Sequence, residues 1–117
     1  QCVEHGVSVV IGAVFASGIL ATGVAADAQY GYADAGQDVS GRTGRIQEIC
    51  ARYKVPLGAA AIQFPLGHDA VAAVIPGADR PELIGINQQW MRWEIPGDLW
   101  AELKDEGLLR SDAPVPE

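Results

Sequence analysis

Two short apolar runs without polar alternation predict buried β-strands. The first occupies residues 7–14 and is rich in β-branched side chains, and the second occupies residues 70–75. Continuous apolar runs of this length are typical of parallel strands that are covered on both faces, because neither face of such a strand meets water. We therefore expect two parallel strands in an α/β fold.

Four further segments predict helices. The first starts at residue 43 or 44, and its apolar residues follow spacings of 3, 1 and 3. The second occupies residues 57–64, where small side chains would permit close packing on a sheet and Pro65 limits the length. The third begins near Arg80 and the fourth at residues 96–98. The expected apolar faces are Ile46, Ile49, Cys50 and Tyr53 in the first helix, Leu83, Asn87 and Trp90 in the third, and Leu99, Trp100 and Leu103 in the fourth.

The turn between the second strand and the third helix has the pattern of an anion site. After Gly77, the residues Asp79, Pro81 and Glu82 resemble a capping box, in which Asp79 would accept from a free backbone N–H. A strand that ends at a glycine turn before a capped helix directs several N–H groups into one space, which favours an anion such as phosphate. The spacing alone favours a structural αβα unit without a ligand, because capped helices after strands are common.

Composition and charge exclude several classes of protein. The net charge of −7 and the absence of a Lys/Arg cluster make nucleic acid an unexpected partner. Residues 6–26 carry no charge, but three glycines interrupt them and no basic region precedes them, so a buried strand is favoured over a membrane span. Cys2 and Cys50 have no metal-type spacing. We expect no metal site and a reducing, cytoplasmic location.

Several segments, in the same order, resemble the aldo-keto reductases, and specifically their branch of sugar and aldose dehydrogenases. The matching segments are GVSVV, SGILATG, QYGYADA, PLGAAAIQFPLGH, VAAVIPGA and IPGDLWAELKDEGLL, which together span residues 6–109. The family fold is a (β/α)8 barrel of about 250 residues. The resemblance therefore implies the C-terminal portion of a TIM-type barrel, strands 7 and 8 with their helices, that has lost its first strands. Residues 1–110 would form this partial domain and residues 111–117 a flexible tail.

The resemblance also implies a site for a nicotinamide dinucleotide, NAD or NADP. By position, the matching residues are Phe15 and Ser17 in the pyrophosphate loop, Gly77, Ala78 and Asp79 around the adenosine ribose, and Asn87 at the adenine edge.

NAD is the expected preference. Family members that prefer NADP(H) place Lys, Ser and Arg around the 2′-phosphate, and those positions here read Gly77, Ala78 and Leu83. Asp79 would repel a phosphate and accept from the 2′-hydroxyl of NAD. Arg80 argues the other way, because it could reach the phosphate.

Two departures limit what the resemblance implies. Gly12 stands where the family often has a tyrosine that stacks on the nicotinamide. The family's catalytic Asp, Tyr, Lys and His lie on its first four strands, so no catalytic residue is assigned in this chain. Tyr30 and Tyr32 belong instead to a long connection, residues 23–41, that is either a cover over the cofactor or a mobile surface loop.

The implied function is that of an oxidoreductase, which transfers hydride between NAD(P) and an aldose or another small aldehyde or alcohol. This chain would supply the cofactor-binding end. Two alternatives stay open from the sequence: a nucleotide- or anion-binding module that works alone, and a non-functional remnant or assembly piece that completes a partner chain.

Overall fold

The structure, a computed structural model, describes residues 1–24, the strands at 29–30 and 33–34, and residues 37–117. Its elements are β1 (Val9–Gly12), a 3-10 turn (Ala16–Gly18), α1 (Ile19–Thr22), β2 (Gln29–Tyr30), β3 (Ala33–Asp34), α2 (Gln37–Arg52), α3 (Leu57–Gln63), a second 3-10 turn (Phe64–Gly67), β4 (Val71–Ile75), α4 (Pro81–Met91) and α5 (Gly97–Asp105). The result is a small mixed α/β arrangement. Tyr32, with residues 25–28, 31 and 35–36 of the expected cover loop, lies outside the described residues.

β1 and β4 pair in parallel, as the two apolar runs predict. The register places Val10 beside Ala73 and Gly12 beside Ile75, so these four residues share one face of the sheet. That face is open to solvent, with Val10 54% and Ile75 63% exposed. The prediction that both faces are covered is therefore wrong for this chain. An apolar run indicates that a strand face is suited to burial, but other parts of the structure must pack on that face to bury it.

α2 begins at Gln37, so the prediction of a start at residue 43 or 44 is wrong. Its first turns are mostly polar and carry no apolar stripe, which is the feature that periodicity detects. Asp38 in the first turn favours the helix through the helix dipole. The predicted stripe is confirmed: Ile49 and Cys50 are buried, and Ile46 and Tyr53 pack against them.

The small residues of α3 permit a close approach to another helix. Ala59 and Ala60 are buried, and a Cβ added at Gly58 would overlap the six-membered ring of Trp90 on α4. The close packing predicted here is thus made at Gly58 with a helix and not with the sheet. α3 ends at Gln63, and Pro65 lies in the first turn of the 3-10 segment that follows, so the predicted limit on the length of α3 is confirmed.

His68 follows the second 3-10 turn as its C-cap residue. Its Nδ1 accepts a hydrogen bond from the backbone N–H of Ala70 at 3.1 Å. The ring therefore holds the turn that leads into β4, which is a local structural role.

The core lies between α2, α3 and α5. Leu99, Trp100 and Leu103 of α5 are buried, as the sequence predicts, against Ile49 and Cys50. Three arginines of α2 add polar contacts to the end of α5: Arg42 donates to the Leu108 carbonyl, Arg45 pairs with Glu106 at 3.0 Å, and Arg52 pairs with Glu102. Solvent screens these partly exposed groups, so each contact contributes little to the stability of the fold.

A left-handed glycine follows the end of α5. Gly107 has a φ of 68°, and the N–H of Leu108 bonds the Leu103 carbonyl at 2.9 Å. Beyond it, the flexibility of residues 111–117 stays a prediction. The segment has no helix or strand, yet Val115 packs against the core and its backbone lies directly over Gly67.

The two thiols differ in accessibility, and we expect them to differ in reactivity. Cys50 is 1% exposed, and burial raises its pKa from 9.0 to about 11, whereas Cys2 is exposed. A disulfide reagent at pH 8 should label Cys2 rapidly and Cys50 only after denaturation, because the thiolate is the reactive form. Cys2→Ser should abolish the rapid phase. Rapid labelling of both thiols in the folded chain would contradict this.

The same shift implies a pH dependence of stability. Between pH 9 and 11 the unfolded state releases the Cys50 proton while the folded state retains it. The unfolded state then binds fewer protons, so the free energy of unfolding falls as the pH rises through this window.

Candidate functional site: a cleft at the carboxyl ends of two parallel strands

A cleft of about 630 Å³ lies where β1 and β4 end. The loop after β1 forms one wall, and the turn after β4 together with one side of α4 forms the other. Its lining residues are Ala13, Val14, Phe15, Ala16, Ser17, Gly18, Ala21, Thr22, Gly77, Asp79, Arg80, Leu83, Ile86, Asn87 and Trp90. The carboxyl ends of parallel strands are where α/β folds place ligands, because the connecting loops meet there.

The loop after β1 is held in an unusual backbone conformation. Ala13, Ala16 and Ser17 have φ values of 52°, 48° and 62°, and Gly18 follows at 102°. A left-handed conformation costs a non-glycine residue on the order of 1–3 kcal/mol. The N–H of Ala16 bonds the Ala13 carbonyl, and the N–H groups of Gly18 and Leu20 bond the Phe15 carbonyl, which holds the tight path. Strain of this kind is concentrated at ligand sites, where a loop shape is retained at the expense of stability.

Phe15 is fixed by an aromatic contact across the cleft. Its ring meets Trp90 edge to face, with centroids 5.7 Å apart and an interplanar angle of 74°. Such pairs add about 0.5–1.5 kcal/mol beyond their buried area. Since Trp90 in turn packs on Gly58, the wall of the cleft is connected to α3.

The start of α4 differs from the predicted capping box. Arg80 is the N-cap residue, with φ −151° and ψ 153°, and no side chain of the described residues caps the helix by a hydrogen bond. The reason is Pro81, which disfavours a helical conformation in the residue before it and so begins the helix itself. Asp79 lies one residue too early to serve as the cap, and the capping-box prediction is wrong.

Asp79 instead pairs with its neighbour. Arg80 Nε donates to Asp79 Oδ1 at 3.0 Å, and both side chains are exposed. This hydrogen bond lowers the pKa of the Asp79 carboxyl, which is therefore ionised at neutral pH. The pair brings opposite charges together at the mouth of the cleft. It weakens both the repulsion that Asp79 would exert on a phosphate and the attraction that Arg80 would offer.

Asn87 connects the two parts of the second wall. It is 8% exposed, and its Nδ2 donates to the Gly77 carbonyl at a long 3.4 Å. The side chain thus holds the turn after β4 against α4 while lining the cleft.

Five of the six residues predicted from the sequence therefore surround one cleft: Phe15, Ser17, Gly77, Asp79 and Asn87. Ala78 is exposed and does not line it. Sequence reasoning missed Trp90 as a cleft residue, since an apolar residue on a helix face is normally assigned to the core. No local sequence pattern marks Trp90 as a ligand-site residue, because its contact with Phe15 depends on the tertiary fold.

A second, larger depression of about 810 Å³ lies at the carboxyl end of α4, among Gly85, Gln88, Gln89, Arg92, Trp93 and Glu94. None of the predicted cofactor residues lines it. The strained loop after β1 also makes no part of its lining.

No group of three or more His, Cys, Asp or Glu side chains in residues 1–24 and 37–117 is arranged to hold a metal ion. No helix in the described parts of the chain has both the length and the apolar character needed to cross a bilayer.

Comparison with known families decides the relationship. The model of the aldo/keto reductase family matches residues 1–107. The chain belongs to the aldo/keto reductase family. It is 43% identical over 106 residues to pyridoxal 4-dehydrogenase from Microbacterium luteolum, a match that covers 91% of this chain and 31% of that enzyme.

A second relative of this aldo/keto reductase chain is D-threo-aldose 1-dehydrogenase from a Pseudomonas species. The two are 39% identical over 109 residues, which is 92% of this chain and 33% of that enzyme. The chain thus spans about a third of the length of these relatives.

Proposed function

We propose that these residues form the cofactor-binding end of an aldo/keto reductase, comprising strands 7 and 8 and their helices in a (β/α)8 barrel. The observation that carries the proposal is the convergence of Phe15, Ser17, Gly77, Asp79 and Asn87 on one cleft at the ends of two parallel strands. The exposed apolar face of the sheet supports the barrel, because the interior of such barrels is filled by branched side chains. Residues 1–110 are the proposed extent of this partial domain.

The proposed ligand is the adenosine and pyrophosphate half of a nicotinamide dinucleotide. The strained loop would surround the pyrophosphate, and the turn after β4 the ribose. In the whole protein this end would orient the cofactor for hydride transfer to or from an aldose or another aldehyde or alcohol. Both curated relatives are named as dehydrogenases, which supports that class of reaction. We place the protein in the reducing cytoplasm, since both cysteines are free.

We propose NAD as the preferred cofactor. Leu83 lines the cleft at the position where NADP-preferring members carry an arginine, so the cleft wall offers no cation there. The remaining cation, Arg80, already donates to Asp79. A 2′-phosphate would gain fewer charge-assisted hydrogen bonds than in those members, and each such bond contributes about 1.5–3 kcal/mol.

The test is binding of ADP-ribose and of its 2′-phosphorylated form, monitored by the tryptophan fluorescence of the chain, to which Trp90 in the cleft contributes. We expect saturable binding of both, with ADP-ribose tighter by roughly tenfold, which corresponds to about 1.4 kcal/mol. Asp79→Ala should reduce the difference between the affinities for ADP-ribose and for its 2′-phosphorylated form. Ser111→Ala, far along the chain, is the matched control and should change nothing.

Two results would contradict the proposal. The first is a chain that is folded by circular dichroism and binds neither compound. The second is tighter binding of the 2′-phosphorylated form, which would leave the cleft assignment standing and overturn the NAD preference.

We also expect these 117 residues by themselves to show no measurable reduction of aldehydes. The family's proton donor and its partners lie on strands that the resemblance places outside this chain, and general acid catalysis contributes about 10²–10⁴-fold to the rate. The measurement is NADH oxidation with increasing amounts of purified chain. Turnover that scales with chain concentration and survives removal of host enzymes would refute this expectation.

A further inference from the structure

Gln63, the last residue of α3, contacts the end of α4 through two hydrogen bonds. Its Nε2 donates to the Trp90 carbonyl at 2.7 Å and to the Trp93 carbonyl at 2.9 Å. A carboxamide nitrogen carries two hydrogens, one for each carbonyl. The Trp90 carbonyl also accepts from the backbone N–H of Trp93 at 3.2 Å, so the carboxamide adds a second bond to a carbonyl in the last turn of α4 and one to the loop just beyond it.

The residue that Gln63 holds by its backbone is also a wall of the cleft. The Trp90 ring lines the cleft and packs edge to face on Phe15, in the loop after β1. On its other side the ring lies against Gly58 of α3. Two residues of α3 therefore position Trp90. Gln63 bonds the backbone carbonyl of Trp90, and Gly58, which has no Cβ, leaves room for the Trp90 ring.

We propose that Gln63 is a positioning residue of the cleft: by holding the last turn of α4 it sets the place of Trp90, and through Trp90 the place of Phe15. Gln63 itself is outside the cleft lining. Its consequence for a dinucleotide rests on the proposed function, whereas its consequence for the loop after β1 does not.

The chemistry of the amide gives three informative variants. Gln63→Glu keeps the shape but places carboxylate oxygens against two carbonyl oxygens. Gln63→Leu keeps the volume and removes both donors. Gln63→Lys restores N–H donors, and a cation near a helix carboxyl end is favourable, so it should rescue the contact. The matched control is Gln88→Leu, an exposed glutamine on α4.

Two measurements test the proposal. Hydrogen exchange of backbone amides should accelerate in the last turn of α4 and in residues 13–18 for Gln63→Glu and Gln63→Leu, while α5 is unchanged. The affinity of the folded chain for ADP-ribose, measured well below its melting temperature, should fall about tenfold. Gln63→Lys should reverse both changes, and Gln88→Leu should produce neither.

Each outcome decides the matter. Faster exchange throughout the chain, α5 included, would show that Gln63 only stabilises the fold, and unchanged exchange in residues 13–18 would show no coupling to the loop. Either result overturns the proposal. If the unmodified chain is folded but does not bind ADP-ribose, the proposed function fails, and the exchange pattern alone then decides the role of Gln63.

Discussion

Replacing Gly58 with alanine should lower the melting temperature of the chain, whereas replacing Gly85 with alanine should raise it. Both glycines lie inside helices, where alanine is intrinsically favoured by about 0.5–1 kcal/mol. At Gly85 a new Cβ meets open space among the described residues. At Gly58 it would overlap the ring of Trp90.

The overlap at Gly58 should make the alanine substitution destabilising there, although alanine is intrinsically favoured in a helix. Forcing an extra carbon into a packed contact typically costs about 1–3 kcal/mol, which exceeds the helix propensity that alanine offers. One kcal/mol shifts the melting temperature of a domain of this size by about 4–8 °C. The gain in helix propensity is common to both variants, so we expect their melting temperatures to differ by the cost of the overlap, about 4–24 °C.

The relevant measurement is thermal unfolding by circular dichroism at low chain concentration, with both variants under the same conditions. A Gly58→Ala chain as stable as Gly85→Ala would show that Trp90 can move aside freely. That result would also weaken the inference that α3 sets the position of the cleft wall.

The second large effect concerns association. Taken alone, the chain should form concentration-dependent assemblies through the exposed face of β1 and β4. Val10 and Ile75 lie on this face and are 54% and 63% exposed, and a strand with an unpaired edge is a template for further pairing. Sedimentation velocity over a range of concentrations should show species heavier than the monomer.

A pair of isoleucine substitutions locates the surface responsible. Ile75→Lys places a charge on the sheet face and should shift the chain toward monomer. Ile84→Lys is the matched control, since Ile84 is similarly exposed at 56% but lies on α4. A chain that melts sharply at monomer mass, or one for which the two lysine variants behave alike, would contradict this account.

The elements that carry their own periodic signal could be predicted from the sequence. The stripe of Ile49 and Cys50 and the buried face of Leu99, Trp100 and Leu103 lie where the spacing places them, because one side of each helix is apolar. The parallel pairing of the two apolar runs also follows from their lack of alternation. The beginning of α2 could not be predicted in this way, since its mostly polar first turns have no apolar periodicity.

The sequence could predict which residues form the candidate site but not which contacts those residues make. Family resemblance indicated Phe15, Ser17, Gly77, Asp79 and Asn87, and the structure brings these five residues together around one cleft. The pairing of Asp79 with Arg80 depends on where α4 begins, which Pro81 decides through its effect on the preceding backbone. The contact of Trp90 with Phe15 joins residues far apart in the chain, and no local pattern encodes it.

The left-handed residues Ala13, Ala16 and Ser17 have a consequence for protein engineering. Selection for thermal stability alone would enrich glycine or asparagine at these positions, because both adopt this conformation with less strain. The loop would then gain alternative shapes that alanine and serine exclude. A variant stabilised in this way would have a more mobile loop in the wall of the cleft. Libraries built on this chain should therefore keep these three positions unchanged when binding is the selected property.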